Sequence, residues 1–475
     1  MILQIFKPIA IILEVLMVFN LMIIVHELGH FLAARWRGLV IEKFAIWFGK
    51  PIWSTTRNGI QYSLGSIPAG GFVALPQMAP MELVEGRSQA SETSRAKMPS
   101  ISVLDKIIVA AAGPLFSFLL ALVFATVVWV IGRPTTEAEA TTTIGYVEKG
   151  SPADKAGLLP GDVIEEIDGQ PVHRFLGMGS DSVTWRVIRS EGEKISFTIQ
   201  RGGKTLTLNS GWIKEPQRRF ARSNLREVKI APRTRLLIGE VEPNTPAEAA
   251  GLKPKDEIVE VNGQKVYSPA ALVDQLTDHP DSPISLVVLR DGKELPFRMT
   301  SAMLPGEDGV KRPRIGIHFD PGEVKLVHPN PVEQVASVLD TMANTFDALF
   351  SPKSDVGAQH FSGPIGIMRI YYQIFESEDG WRLAFWFSVF SNVNLAVLNL
   401  FPIPVLDGGH ILLALIEGVR RKPVNAKVVE VVTGVCACVI IGFLLFVSFF
   451  DVRDLPWGLN ESPKAAPAVN QSPSK

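Results

Sequence analysis

Four stretches of this chain are too long and too apolar to be ordinary core segments: Ile9–Ala34, Ile107–Ile131, Trp381–Leu400 and Val428–Phe450. About 20 residues of helix cross the hydrocarbon of a bilayer, so the pattern predicts an integral membrane protein with four transmembrane helices and the lipid bilayer as a partner. The first window is longer than a signal-peptide core and lacks a small-residue cleavage site, so it is expected to be retained. Basic residues set the orientation. Arg35 and Arg37 follow the first window, Arg95, Lys97 and Lys106 precede the second, and Arg420, Arg421, Lys422 and Lys427 lie between the third and fourth. By the positive-inside rule these loops are cytoplasmic, which puts the long stretch from about Arg133 to Gly380, and both termini, on the other side. With 47 Lys and Arg against 48 Asp and Glu, no bulk charge points to nucleic acid. Cys436 and Cys438 fall inside the fourth window and read as small apolar packing residues, without a disulfide framework.

The external stretch contains an internal repeat. "IGYVEKGSPADKAGLLPGDVIEEIDGQPV" from Ile144 recurs as "IGEVEPNTPAEAAGLKPKDEIVEVNGQKV" from Ile238, with 16 of 29 positions identical. Each copy runs from a strand through Ser/Thr-Pro-Ala into a short helix closed by Gly157 or Gly251. A second strand then ends at Asp168-Gly169 or Asn262-Gly263, pairs that favour tight hairpins. This pattern resembles the bacterial, circularly permuted PDZ domain, an α+β module that adds an extended peptide to a sheet edge. The resemblance implies peptide or protein segments as partners, with a carboxylate loop of the second copy near Pro313–Phe319. The second copy carries Lys255 where the first has Gly161. The expected organisation is an N-terminal membrane part (1–140), two PDZ-like domains (141–232 and 233–320), an external amphipathic connector (321–380), a C-terminal membrane part (381–456) and a disordered tail (457–475).

The first apolar window carries "HELGH", His26 to His30. Residues four apart share a helix face, so His26 and His30 can present imidazoles to one metal ion while Glu27 stands beside them to act on water. Ionisable groups in a membrane helix are costly and functional by default. A catalytic zinc takes three protein ligands and leaves a position open, so a third ligand is required from elsewhere. "NLAVLNLFPIPVLDGGHILLALIEG" supplies candidates, because Pro402 and Pro404 break the helix at membrane depth and Asp407-Gly408-Gly409 follow. Asp407 is one candidate ligand, unless it only caps the next helix; His410 is the other.

Taken together, HELGH, "AAGPLFSFLLA" from Ala111, "GGF" at Gly70–Phe72, the two PDZ-like copies, "SGPIGI" from Ser362 and "NLFPIPVLDGG" from Asn399 resemble the site-2 protease family, in its bacterial regulator-of-sigma-E protease type. The resemblance reaches from the N-terminus to Phe450. It implies an intramembrane zinc metalloprotease of the bacterial inner membrane. His26, His30 and Asp407 would hold Zn2+, Glu27 would be the general base, and Asn399 would help engage substrate. Expected substrates are single-span membrane proteins, anti-sigma-factor-like or signal-peptide-like, cleaved near the cytoplasmic side in regulated intramembrane proteolysis, with the PDZ-like domains periplasmic. The family often has asparagine where this chain has Ser117.

A substrate helix must unwind before hydrolysis, and its freed backbone groups need partners. "FAIWFGKPIWSTTRNGIQYSLGSIPAGGFVAL", Phe44–Leu75, offers two apolar runs joined at Asn58-Gly59, a strong hairpin signal. A membrane-associated β-hairpin is therefore expected, with Gly70, Gly71, Phe72 and Val73 forming an edge for substrate. Two other readings are a membrane-anchored PDZ scaffold or pseudoprotease and a zinc transporter. The intact HExxH argues against the first, and ionisable groups clustered near one membrane face argue against the second.

Overall fold

A computed structural model of the chain describes residues 2–455 except 82–98, 100, 178, 217–220, 281, 307–308, 321–323, 378 and 423. Arg95 and Lys97 of the orientation argument, and the expected disordered tail 457–475, lie outside the described residues. The chain divides into two compact units. The first comprises Met1–Arg133, Val327–Met342 and Phe361–Leu455, and the second comprises Pro134–Leu326 and Ala343–His360. The segment expected to form a single connector, 321–380, is thus shared between them.

The first unit is built on helices α1 (Ile2–Trp36), α2 (Val103–Ile131), α3 (Pro364–Glu376), α4 (Gly380–Asn399), α5 (Asp407–Arg420) and α6 (Ala426–Arg453). Among the described residues, three helices are long and apolar enough to cross a membrane: Phe6–Trp36, Val103–Ile131 and Lys427–Arg453. The expected span at Trp381–Leu400 forms α4 but does not join them on composition, for a physical reason. Arg382, Ser388, Ser391, Asn392 and Asn394 interrupt its apolar run, and buried Ser388 and Asn392 turn into the protein. Helix α4 packs on α2, with Phe385 against Phe124 at 5.6 Å between ring centroids. Helix α6 is the outlying one, only 11% of its apolar window being buried against 44% for α2. Cys436 is accordingly half-buried and Cys438 exposed, so Cys438 is not the packing residue expected from sequence.

Helix α2 opens with a reciprocal cap, in which Asp105 N–H donates to Ser102 Oγ and Ser102 N–H donates to Asp105 Oδ2, satisfying two donors the helix cannot satisfy itself. Helix α3 is capped from another element. The Asp451 carboxylate of α6 accepts from Gly363 N–H at 2.8 Å and from Gly366 N–H at 3.0 Å.

Between α1 and α2 lies a four-stranded sheet of order β2-β3-β1-β4, with β1 Lys43–Phe48, β2 Trp53–Arg57, β3 Ile60–Leu64 and β4 Ile67–Ala74. The Asn58-Gly59 turn takes left-handed φ of 53° and 78°, as a tight hairpin requires. Strand β4 pairs with β1 through Phe44↔Val73, Ala45↔Phe72 and Ile46↔Gly71, and it terminates the sheet. Its final residues are sealed by α1 and α2 in a core of Phe31, Ala34, Val73, Leu75, Val109 and Ala110.

The second unit repeats one design twice. In the first copy Arg201 grips Asp162 with Nε and Nη2, both at 2.6 Å, and donates to the Gly157 carbonyl. In the second Arg290 grips Asp256 at 2.7 Å and donates to the Gly251 carbonyl. Asp168 and Asn262 both sit at φ 51° and accept from Ser196 N–H and Ser285 N–H. Lys255, at the place of Gly161, keeps the left-handed backbone at φ 72°. Tyr146 of the first copy donates its hydroxyl to Asp274 of the second at 2.6 Å. Burial first, then this carboxylate neighbour, holds that phenol above its usual range. The first copy also seats Trp185 against Ala348 and Val356.

Candidate metal centre

His26 and His30 lie one turn apart on the inner face of α1, within the apolar span Phe6–Trp36. Helix α2 approaches there because its residues are small. A Cβ on Gly113 would sit 2.2 Å from His30 Nε2 and 2.8 Å from His26 Nε2, and one on Gly29 would sit 2.4 Å from the Ala112 carbonyl. Asp407 arrives from the other end of the sequence. Helix α4 stops at Asn399, the chain turns through Pro402 and Pro404, and α5 begins at Asp407. The glycine pair after Asp407 makes this turn possible, since a Cβ on Gly408 would meet the Leu400 carbonyl at 2.1 Å and one on Gly409 the Ile403 carbonyl at 2.2 Å.

The three side chains converge. His26 Nε2 lies 3.2 Å from Asp407 Oδ2, His30 Nε2 3.3 Å from Asp407 Oδ1, and the two Nε2 atoms 3.3 Å apart. All three are buried. Asp407 does not serve merely as a helix cap, because the N-cap position falls on Leu406 and no side-chain cap bond forms. His410 is buried on the first turn of α5, yet among the described residues the metal-competent cluster is His26, His30 and Asp407 without it.

The far sides of the imidazoles are held as well. His30 Nδ1 lies 2.8 Å from the Val109 carbonyl, which can only accept, so Nδ1 carries the proton and Nε2 presents a lone pair. His26 Nδ1 lies 3.0 Å from Ser117 Oγ, and Ser117 is fully buried. His30 Nε2 and the Asp407 carboxylate thus turn electron-rich atoms on one point, and His26 Nε2 joins them in the tautomer whose Nδ1–H donates to Ser117 Oγ; both outer nitrogens are held by hydrogen bonds, as in metal-ligating histidines. The donor set and its second layer of partners fit zinc. Ser117 is the residue that sequence reasoning left without a role. Its signal was its place one helical turn beyond Gly113, facing the same imidazoles.

Glu27 completes the centre. Its Oε2 is buried with no hydrogen-bond partner, and its Cγ lies 3.2 Å from where a Cβ on Gly71 of β4 would be. Gly70, Gly71 and Phe72 are half-buried beside it, whereas Val73 is 1% exposed. The expected edge is therefore accessible over Gly70–Phe72 and closed at Val73, which the α1–α2 core needs for packing. Asn399 is half-buried at the last residue of α4; Asn392 and Asn394 of the same helix donate to carbonyls four residues back, Ser388 and Phe390, each at 2.8 Å.

The chain is similar to known proteins along most of its length. A Salmonella typhimurium protein named Regulator of sigma-E protease RseP is 29% identical over 459 residues, covering 90% of this chain and 96% of its own. Protease RseP of Yersinia pestis is 30% identical over 457 residues, with the same coverage. A Vibrio cholerae protein whose name describes a zinc metalloprotease is 29% identical over 462 residues, covering 92% of this chain and 97% of its own. The profile of peptidase family M50 matches residues 14–443, so the chain belongs to peptidase family M50 and is a zinc metalloprotease of the membrane.

Proposed function

We propose that this protease cleaves transmembrane segments of single-span membrane proteins inside the bilayer, with His26, His30 and Asp407 holding the zinc and Glu27 moving the proton. The observation that carries this reading is the convergence of three ligand atoms and an unpartnered carboxylate between apolar helices. In this reading α1, α2, α4 and α6 all span the membrane of a bacterial cell, α4 being the polar, protein-facing span. The two repeats of the second unit are periplasmic PDZ-like domains that engage peptide or protein segments. Anti-sigma factors are the substrate class suggested by the names of the relatives.

Bound at this centre, zinc supplies a Lewis acid that polarises a carbonyl and lowers the pKa of water towards about 7. The chain's own residues do the rest. Glu27 Oε2 has no competing hydrogen bond, so it is free to take a proton from the attacking water and return it to the departing amine. His26, His30 and Asp407 would hold the metal, and the imidazoles are kept in place for it by Val109 and Ser117 at their outer nitrogens. Strand β4 offers backbone groups to an unwound substrate. On β1 the Ile46 carbonyl accepts from Gly65 N–H, so alternate β1 residues face β3 and Ala45 faces β4. Phe72, paired with Ala45, then turns its backbone groups inward, and Gly71 turns its own outward next to Glu27. Asn399 approaches the unwound segment from the end of α4.

The third ligand is tested by substitution. Asp407→Ala should lose both zinc and cleavage of a model single-span substrate, while His410→Ala should keep its zinc. Tight zinc in Asp407→Ala together with its loss in His410→Ala would reassign the ligand.

A further inference from the structure

A tryptophan occupies a position in β1 that its backbone suits poorly. Trp47 sits at φ 67°, in the left-handed region that bulky residues avoid. The register between β1 and β4 shifts here, with Ile46 opposite Gly71 and Phe48 opposite Ile67, so Trp47 alone spans the stretch that Pro68, Ala69 and Gly70 fill on β4; the extra residues of this irregularity lie on β4, and Trp47 is the β1 residue that faces them. Something must hold the strained residue in place. Its indole N–H donates to Asn20 Oδ1 at 2.5 Å. Asn20 is buried at 8% exposure and donates its own amide to the Leu16 carbonyl. It lies on α1 six residues before His26, or roughly 9 Å along the helix. A buried amide within a membrane helix is retained for a reason, and neither the metal centre nor the proton transfer uses this one.

Trp47 is coupled to the strand next to the candidate metal centre. Immediately after Trp47, Phe48 pairs with Ile67 of β4, and its ring stacks on Phe72 at an interplanar angle of 10°. Gly70, at φ 76°, must be glycine because a Cβ there would lie 1.9 Å from the Phe48 ring. Moving Trp47 therefore moves Phe48, and moving Phe48 moves Gly70 and Phe72.

The geometry points to Asn20 and Trp47 as a positioning pair that anchors β1, opposite the β4 irregularity, to the metal-bearing helix and so aims the Gly70–Phe72 edge of β4 at substrate. This assignment rests on the reading of β4 as the substrate-binding edge. It makes substrate alignment a property of one hydrogen bond between α1 and the sheet, separate from metal binding.

The test uses the full-length protein in lipid. Asn20→Leu and Trp47→Phe each remove the bond while keeping bulk. Each should raise KM for a single-span substrate by about three- to tenfold, the value of one hydrogen bond, with zinc content unchanged and kcat little altered. The double variant should be no worse than either single one. Trp47→Gly, which relaxes the left-handed backbone at this position, should recover most of the loss and make Asn20→Leu silent. Disulfide cross-linking from Phe72→Cys to a cysteine scan of the substrate should show a two-residue period that is lost in Asn20→Leu. An unchanged KM in both single variants, losses that multiply in the double variant, or loss of zinc would overturn the pair. Periodic cross-linking that persists in Asn20→Leu would overturn the pair alone; absence of any periodic cross-link with Asn20 and Trp47 intact would overturn the β4 reading and the pair with it.

Discussion

His30 donates one ring nitrogen to the Val109 carbonyl, and His26 meets the Ser117 hydroxyl with its equivalent nitrogen. The first bond decides that the His30 Nε2 lone pair faces Asp407, and the second holds the His26 ring in place. HExxH spacing made the two histidines and Glu27 legible in the sequence, because residues four apart on a helix must share a face. Their outer partners were not legible, since a backbone carbonyl leaves no mark in composition and a lone serine in an apolar helix has many uses. Ser117→Ala should therefore weaken zinc affinity by about 10- to 100-fold, measured by competition with a chelator, and Ser117→Asn should restore part of it. Unchanged affinity in the alanine variant would show that the hydroxyl does not orient His26.

At the scale of elements, the proline-broken turn before α5 was readable as the place for a candidate third ligand, but the residues alone left Asp407 and His410 open and only the family resemblance pointed to Asp407. The choice depends on where the helix begins, and the close approach of Gly408 and Gly409 to the carbonyls of Leu400 and Ile403 sets that start at Asp407. Gly409→Ala should displace the turn, and an error of about 1 Å in a catalytic group costs roughly 100-fold in rate. Full activity in that variant would mean that the turn accommodates a methyl group. The hairpin at Asn58-Gly59 was likewise legible, whereas the left-handed backbone at Trp47 was not, because nothing local to tryptophan announces it. In the second unit the repeated Arg–Asp–Gly clamp gives a pH-dependent prediction. Burial raises the Asp256 carboxyl, but the hydrogen bonds from Arg290 and the Lys253 N–H, together with the charges of both residues, outweigh it and leave the group below its usual range. A carboxyl lower in the folded state stabilises the fold above the ordinary range, and that contribution is lost as pH falls through about 4 towards the folded value. Asp256→Asn should cost about 3 kcal/mol near neutral pH, read by hydrogen exchange of strands Leu236–Val241 and Glu257–Val261. Its deficit relative to the unsubstituted chain should shrink as the medium is acidified; a constant deficit would refute the linkage.

For the whole molecule, apolar windows predicted the membrane character that three described helices bear out. Helix α4 was expected as a fourth span and falls short on composition, because Arg382, Ser388, Ser391, Asn392 and Asn394 interrupt its apolar run, with Ser388 and Asn392 buried against protein. His26, His30 and Asp407 are likewise buried against one another, with Glu27 beside them and its Oε2 unpartnered. In the proposed division of labour two histidines and Asp407 hold zinc and Glu27 acts on water without holding it. The direct test is to measure bound zinc and substrate cleavage in the same purified preparation of Glu27→Gln. One zinc per chain with cleavage abolished is the predicted result, and cleavage near the normal rate, or a preparation devoid of zinc, would contradict it.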